Sequence, residues 1–165
     1  MLEELRSRSE RKSGLAYPSD IEAAELIQEG EGQTIEFKKQ LPKQADSLAK
    51  EIAALGSTNP GVILLGVAKN SDIIGIDEIA TPAGFNEFRI RIEGISSNSI
   101  IQSLAIRVRS TQIEGENLAV VEVPKGPEAV YYTKNGVPYL RHGSLSRPAN
   151  PMEVYELIKR YIERG

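Results

Sequence analysis

Cysteine and tryptophan are absent from the 165 residues, histidine occurs once, and aromatic residues make up 5% of the chain. Without cysteine there is no disulfide framework, thiol nucleophile, iron–sulfur cluster or Cys-containing zinc site. A single histidine, His142, excludes multi-histidine metal centres. No apolar run approaches the ~18–20 residues that span a bilayer. The opening MLEELRSRSERKSG lacks the apolar core of a signal peptide, so no membrane association and a cytoplasmic location are expected. A basic excess is missing too. The 20 Lys plus Arg stand against 23 Asp plus Glu, a net charge of −3, so nucleic-acid contacts would have to come from local patches. Gly-Lys-Ser/Thr, GxSxG and a GxGxxG placed between strand and helix are all absent, which excludes the corresponding phosphate loop, nucleophile elbow and dinucleotide fingerprint.

What is present is ordinary for a globular domain: 40% apolar and 26% charged residues. The length fits one domain of ~100–200 residues. Residues 1–17 alternate charges with small polar groups and read as a flexible or helical arm, leaving 18–165 as the domain. Ser19 and Glu22 form a capping box for a helix that Gly30 stops. GQTIEFKK alternates, with Ile35 and Phe37 on one face and Thr34, Glu36 and Lys38 on the other, as in a half-buried strand. Residues 45–55 have helical spacing. GVILLGV reads as a strand buried on both faces, with IIGI at 73–76 as its partner. Residues 84–95 suit a helix or a strand, and a helix is favoured. Residues 103–123 form a hairpin, and VYYTK and VPYLR form a second around Asn135-Gly136. A last helix starts at Asn150-Pro151, with Val154, Leu157, Ile158 and Tyr161 as its apolar stripe. The expected fold class is therefore α+β: a single domain whose mixed, mostly antiparallel sheet has helices packed on it.

Two constellations carry possible chemistry. Glu31 and Glu36 can hold a divalent cation through hard oxygens, provided that Glu31 lies in the turn before the strand, because five residues along one strand would point them apart. Lys38 shares a face with Glu36 and could neutralise a phosphate; an exposed Glu–Lys pair is the plain alternative. The second is YLRHGSLSRPA. Arg141 and Arg147 could clamp phosphate with Ser144, Ser146 and the Gly143 backbone as further donors, or Arg147 could simply satisfy acids on the last helix. Local charge adds Lys39, Arg107 and Arg109 as phosphate contacts. His142 reads as a surface or hairpin-end residue.

Three segments together, ELIQEGEGQTIEFKKQ, LAKEIAALGSTNPGVILLGVAKNSDIIGID and YLRHGSLSRPANPMEVYELI, resemble the Schlafen-type AlbA-like domain over roughly residues 25–160. That resemblance implies a DNA- or RNA-binding domain, in many members transcription-regulator-like. In some animal members it implies a metal-dependent ribonuclease acting on structured RNA. The two glutamates of that family's Glu-x4-Glu-Phe-Lys motif correspond to Glu31 and Glu36, and a third acid follows the Gly-Val strand. Here Ala68 and Lys69 stand at that place, and Asp72 is the nearest acid.

Two functions follow as expectations. The first is nucleic-acid binding through phosphate, needing no cofactor. The second is a Mg²⁺- or Mn²⁺-dependent endoribonuclease with Glu31, Glu36 and Lys38 catalytic and with Glu31, Glu36 and Asp72 on the metal. A protein-interaction or assembly subunit, possible as a homo-oligomer, is the third reading.

Overall fold

The computed structural model describes residues 22–164; the arm at 1–17 and the proposed Ser19 cap lie outside the described residues. Helix α1 (Ala23–Glu29) leads through a turn into β1 (Ile35–Lys38), then α2 (Ala45–Ser57) and β2 (Gly61–Leu65). A short 3₁₀ turn at Asp77–Ile79 precedes α3 (Pro82–Ser99). The hairpin β3 (Arg107–Ile113) and β4 (Glu116–Val123) follows, then β5 (Tyr139–His142), β6 (Leu145–Pro148) and α4 (Pro151–Arg164).

Four strands form one sheet in the order β1-β2-β4-β3, and β5-β6 form a second, smaller one. The β1–β2 pair is parallel; β2–β4 and β3–β4 are antiparallel. The expected α+β domain with a mixed, mostly antiparallel sheet is what the chain forms. Its core has two parts, one on each face of the sheet. Leu48, Ile52, Leu55, Phe88 and Ile92 of α2 and α3 pack on Ile63, Leu65 and Val121. On the other face, Ala23, Leu26 and Ile27 of α1 cover Ile35, Phe37, Val62 and Val120. Residues of β2 alternate between these two clusters, which is why GVILL is apolar throughout.

Several local expectations change. The 84–95 segment is helical but longer, because Thr81 accepts a bond from the Gly84 N–H at 3.1 Å and Pro82 sits in the first turn. Phe88 and Ile92 are buried while Ile90 is exposed, so helical rather than alternating spacing governs. IIGI pairs with the preceding strand only through the Val67–Ile73 bridge, since Gly66 at φ 102° turns the chain out of the ladder. The Asn135-Gly136 turn forms, with the Gly136 N–H bonded to the Thr133 carbonyl at 2.8 Å, but VYYTK is not a strand. Pro138, lacking an N–H, limits that pairing to one bridge with Tyr132. Residues 139–142 pair instead with 145–148, turning at Gly143. No residue of α4 is buried, so its predicted apolar stripe does not dock into the core.

Candidate functional site

β1 is an edge strand, and its second face is not open. Glu36 is 2% exposed and points to the side that α2 covers. Opposite it stands Glu51 of α2, also buried. Arg141 of β5 reaches between them: its Nη1 is 2.7 Å from Glu36 Oε2 and 2.9 Å from Glu51 Oε2, and its side chain has no exposed surface. Nε and Nη2 donate to the Gly32 carbonyl, and Nη2 also to that of Ile35 at 2.8 Å. Ser146 accepts from Nη1 and donates to Glu51 in a short bond. Gln33 fixes the hairpin to the same turn, donating to the Arg141 carbonyl at 2.7 Å and accepting the Gly143 N–H at 2.8 Å.

Glu31 lies in the turn before β1, as convergence with Glu36 requires. Its Oε1 accepts the Phe37 N–H at 3.0 Å. Two lysines close the outer side. Lys69 Nζ is 3.2 Å from Glu31 Oε1 and 3.6 Å from Glu36 Oε1. Lys38 Nζ is 3.6 Å from that same Glu36 oxygen and 3.7 Å from Glu51 Oε1. Lys38 is one-fifth exposed, whereas Lys69 is 71% exposed. Both stand where the parallel strands β1 and β2 end, the edge at which open sheets take their ligands.

Burial raises the Glu36 pKa above the ordinary carboxylate value; the Glu51 charge adds to this and Arg141 offsets it only in part. For Lys69, burial pulls downward, but the carboxylates of Glu36 and Glu31 outweigh it and hold the ammonium above the usual lysine value. Lys69 therefore stays charged at any physiological pH.

The remaining predicted residues are placed elsewhere or are already paired. Asp72 does not join the glutamates: its carboxylate accepts from the Asn70 amide at 2.9 Å in an exposed turn. Arg147 makes a two-pronged pair with Glu153 at 3.0 and 2.9 Å, the alternative in which it satisfies an acid on the last helix. Arg107 and Arg109 hold the buried Glu122 at 2.7 and 3.0 Å. They lie on β3, at the opposite edge of the sheet from β1, and face the α1 side with Val120 rather than the α2 side with Glu36. Ser144 is exposed at the hairpin tip and Lys39 just past β1. His142 ends β5, with Nε2 3.1 Å from Glu153.

Two members of the cluster escaped the sequence reading. Glu51 sits three residues after Leu48 and four before Leu55, on the apolar stripe of α2. A carboxylate on such a stripe is the legible signal of a buried ion pair. Lys69 was visible as a departure from the family pattern, but its reach back to Glu31 depends on the turn after β2.

The ribonuclease members of the family imply a divalent metal, and the donor set decides whether one fits. Glu31, Glu36 and Glu51 contribute three negative charges; Lys38, Lys69 and Arg141 contribute three positive ones. Each carboxylate already has a cationic nitrogen within 3.7 Å, so no net negative charge remains to hold a hard dication. Among the described residues, no group of three or more His, Asp or Glu is placed to ligate a metal. As arranged, the site does not fit Mg²⁺ or Mn²⁺.

The fold and this arrangement of turn, strand and hairpin are those of a small α+β domain. The chain belongs to the Schlafen, AlbA_2 family, whose model matches residues 31–150. No curated protein matches the chain. Among solved structures it is similar to the DIP2311 protein of Corynebacterium diphtheriae, at TM-score 0.55 and 22% identity over 77% of this chain. That match spans 24% of the other protein, so this chain corresponds to about a quarter of it. It is also similar to the N-terminal domain of a RecG-related protein of Nitrosomonas europaea, at TM-score 0.54 and 18% identity, covering 77% of this chain and 90% of that one. At these identities the likeness is one of fold. No helix among the described residues is long and apolar enough to cross a membrane.

Proposed function

We propose that the protein binds nucleic acid through its phosphates, without a metal, at the edge where β1 and β2 end. The observation that carries this reading is the pair Lys38 and Lys69, which share one oxygen of Glu36 while Lys69 remains mostly in solvent. The Lys69 end of these pairs lies mostly in solvent, where water and other anions compete for the ammonium. The Lys69 ammonium can leave the carboxylates for a phosphate and keep its charge. Lys39, exposed and without a carboxylate partner among the described residues, stands next in the chain. Family membership supports the class of partner. The Nitrosomonas relative bears a name that refers to a DNA helicase, and that name belongs to the relative.

Arg141 is removed from the contact set because its donors are spent on Glu36, Glu51, Ser146 and two carbonyls. Cleavage has less support than binding, because the carboxylates that would hold a metal are neutralised from within. The test is a fluorescence-anisotropy titration of labelled tRNA, single-stranded DNA and duplex DNA over a range of salt. With about two or three phosphate contacts, log K should fall against log salt with a slope of roughly −2. Lys69→Ala should reduce that slope by about one. Binding that ignores salt, or ignores Lys69→Ala, overturns the reading.

A further inference from the structure

A cavity of about 500 Å³ opens beneath the second half of α4, between that helix, the end of α2 and the loop that follows β4. It lies where β2 begins and β4 finishes, with Gly61 beside Val123. The Glu36 cluster stands at the opposite end of the sheet, where Lys38 is beside Leu65. Three cations line the cavity, Lys125, Arg160 and Arg164, against one carboxylate, the exposed Glu128. The other arginines among the described residues each hold a carboxylate at 2.7 to 3.0 Å. Arg160 and Arg164 hold none among those residues.

Lys125 is placed there by the fold. Its Nζ donates at 2.7 Å to the carbonyl of Ser57, one of those that the end of α2 leaves over. The loop around it is pinned as well. The Tyr131 N–H donates to Ser57 Oγ at 2.8 Å, and the Tyr131 hydroxyl accepts the Glu128 N–H at 3.2 Å. Gly126 lies so close to the Tyr131 ring that a Cβ there would overlap it. Ser57 takes one of the three ammonium donors, and two are left for a ligand. Burial pushes the Lys125 pKa down, the Arg164 charge lowers it further, and no carboxylate offsets them. A basic last turn of α4 suits the helix dipole by itself. The dipole gives no reason for a half-buried lysine of another element to line the same cavity.

A cleft lined by charges of one sign concentrates their field and draws an anion. Two guanidinium forks and an ammonium are donors that match phosphate oxygens. Three cations less one acid leave an excess of two positive charges, which matches the dianion of a phosphate monoester better than the single charge of an internal phosphodiester. Leu157 and Tyr161 add an apolar wall, and the volume falls in the ~300–1,000 Å³ range of small-ligand sites. We infer that this cavity binds a terminal phosphate, a monoester dianion on a small or ring-bearing body, with Lys125, Arg160 and Arg164 as its donors. The inference does not rest on Lys38 and Lys69.

Phenyl phosphate, one phosphate monoester on one ring, is the probe, titrated calorimetrically into the full chain beside phenyl sulfate, a monoanion of the same shape. Phenyl phosphate should bind roughly tenfold more tightly. Arg164→Ala, at an exposed position with no ion pair to lose, should weaken that binding roughly tenfold and leave the far-ultraviolet circular dichroism unchanged. Lys125→Met should act in the same direction, and Lys69→Ala should have no effect. Single-stranded DNA with and without a terminal phosphate separates the two sources of such a group. A preference for the phosphorylated strand that Arg164→Ala removes assigns the phosphate to a strand end. Equal binding of the two strands, beside binding of phenyl phosphate, assigns it to a free small molecule. Failure of both phenyl phosphate and the strand-end phosphate to bind overturns the inference. So does equal binding of phenyl sulfate, binding that Arg164→Ala and Lys125→Met both leave intact, or binding that Lys69→Ala removes.

Discussion

Replacing Arg141 by methionine separates a structural arginine from a phosphate-binding one. Methionine keeps much of the apolar stem and removes the guanidinium, leaving Glu36 and Glu51 to face each other in a buried space. Breaking a buried pair by deleting one partner costs about 3–5 kcal/mol, because the remaining charges lose their compensation. The Gly32 carbonyl also loses its arginine donors, and the Ile35 carbonyl keeps the Gly32 N–H at 3.0 Å but loses Nη2. Lys38 and Lys69 soften the loss, since both already approach Glu36 Oε1, so the lower half of that range is expected. For a domain of this length, 1 kcal/mol corresponds to roughly 2–4 °C in Tm, and the melt should shift by roughly 6–15 °C. Urea denaturation followed by circular dichroism reads the free energy directly. The companion variant carries Arg141→Met, Glu36→Leu and Glu51→Met together. Replacing a whole buried ionic group by apolar residues is commonly neutral or stabilising, so it should recover most of the loss. A change below about 1 kcal/mol for Arg141→Met, with nucleic-acid affinity lost instead, would refute the reasoning and return Arg141 to the phosphate-contact set.

Three further outcomes follow from the same geometry. The raised pKa of Glu36 means that the folded chain holds a proton which the unfolded chain has released, over the window between 4.5 and the folded value. Stability from this group therefore falls as pH rises through that window, and Glu36→Gln should flatten the pH dependence of urea melts there. Asn150 and Glu153 form a reciprocal cap on the N-terminus of α4, with bonds of 2.9 and 3.0 Å; Asn150→Ala should cost about 1 kcal/mol, read as fraying of the first turn of that helix. Gly61→Ala would place a Cβ 2.8 Å from the Thr34 carbonyl oxygen and 2.5 Å from Leu55 Cδ2. Overpacking against backbone should destabilise the β1–β2 pair by about 1–3 kcal/mol, and an unchanged melt would contradict the described packing.

Periodicity and caps in the sequence were enough to locate most elements. The Thr81-Pro82 start of α3 went unread, whereas Asn150-Pro151 starts a helix by local hydrogen bonding, and such a signal does not depend on tertiary contacts. GVILL announced a strand covered on both sides for the same reason. The reading failed where a distant segment decides the outcome. Alternation in IEFK implies a polar face in water, yet the hairpin β5–β6 and helix α2 cover that face, and only Arg141 and Glu51 make burial of Glu36 tolerable. Arg141 looked available for phosphate because local sequence cannot show that its partners lie about a hundred residues upstream. Pro138 removed a ladder position and transferred the hairpin to Gly143. In α4 the amphipathic pattern was read correctly as a stripe, but periodicity says that a face is apolar and not what will cover it.

The central claim is that the cluster around Glu36 supplies its own cations and meets phosphate without a metal. Labelled tRNA, single-stranded DNA and duplex DNA, incubated with the protein in EDTA or in Mn²⁺ and run on native and denaturing gels, test it most directly. The account predicts a salt-sensitive shift of intact substrate that is the same in EDTA and in Mn²⁺ and is weakened by Lys69→Ala. Cleavage that requires Mn²⁺ and disappears in Glu36→Gln would contradict it.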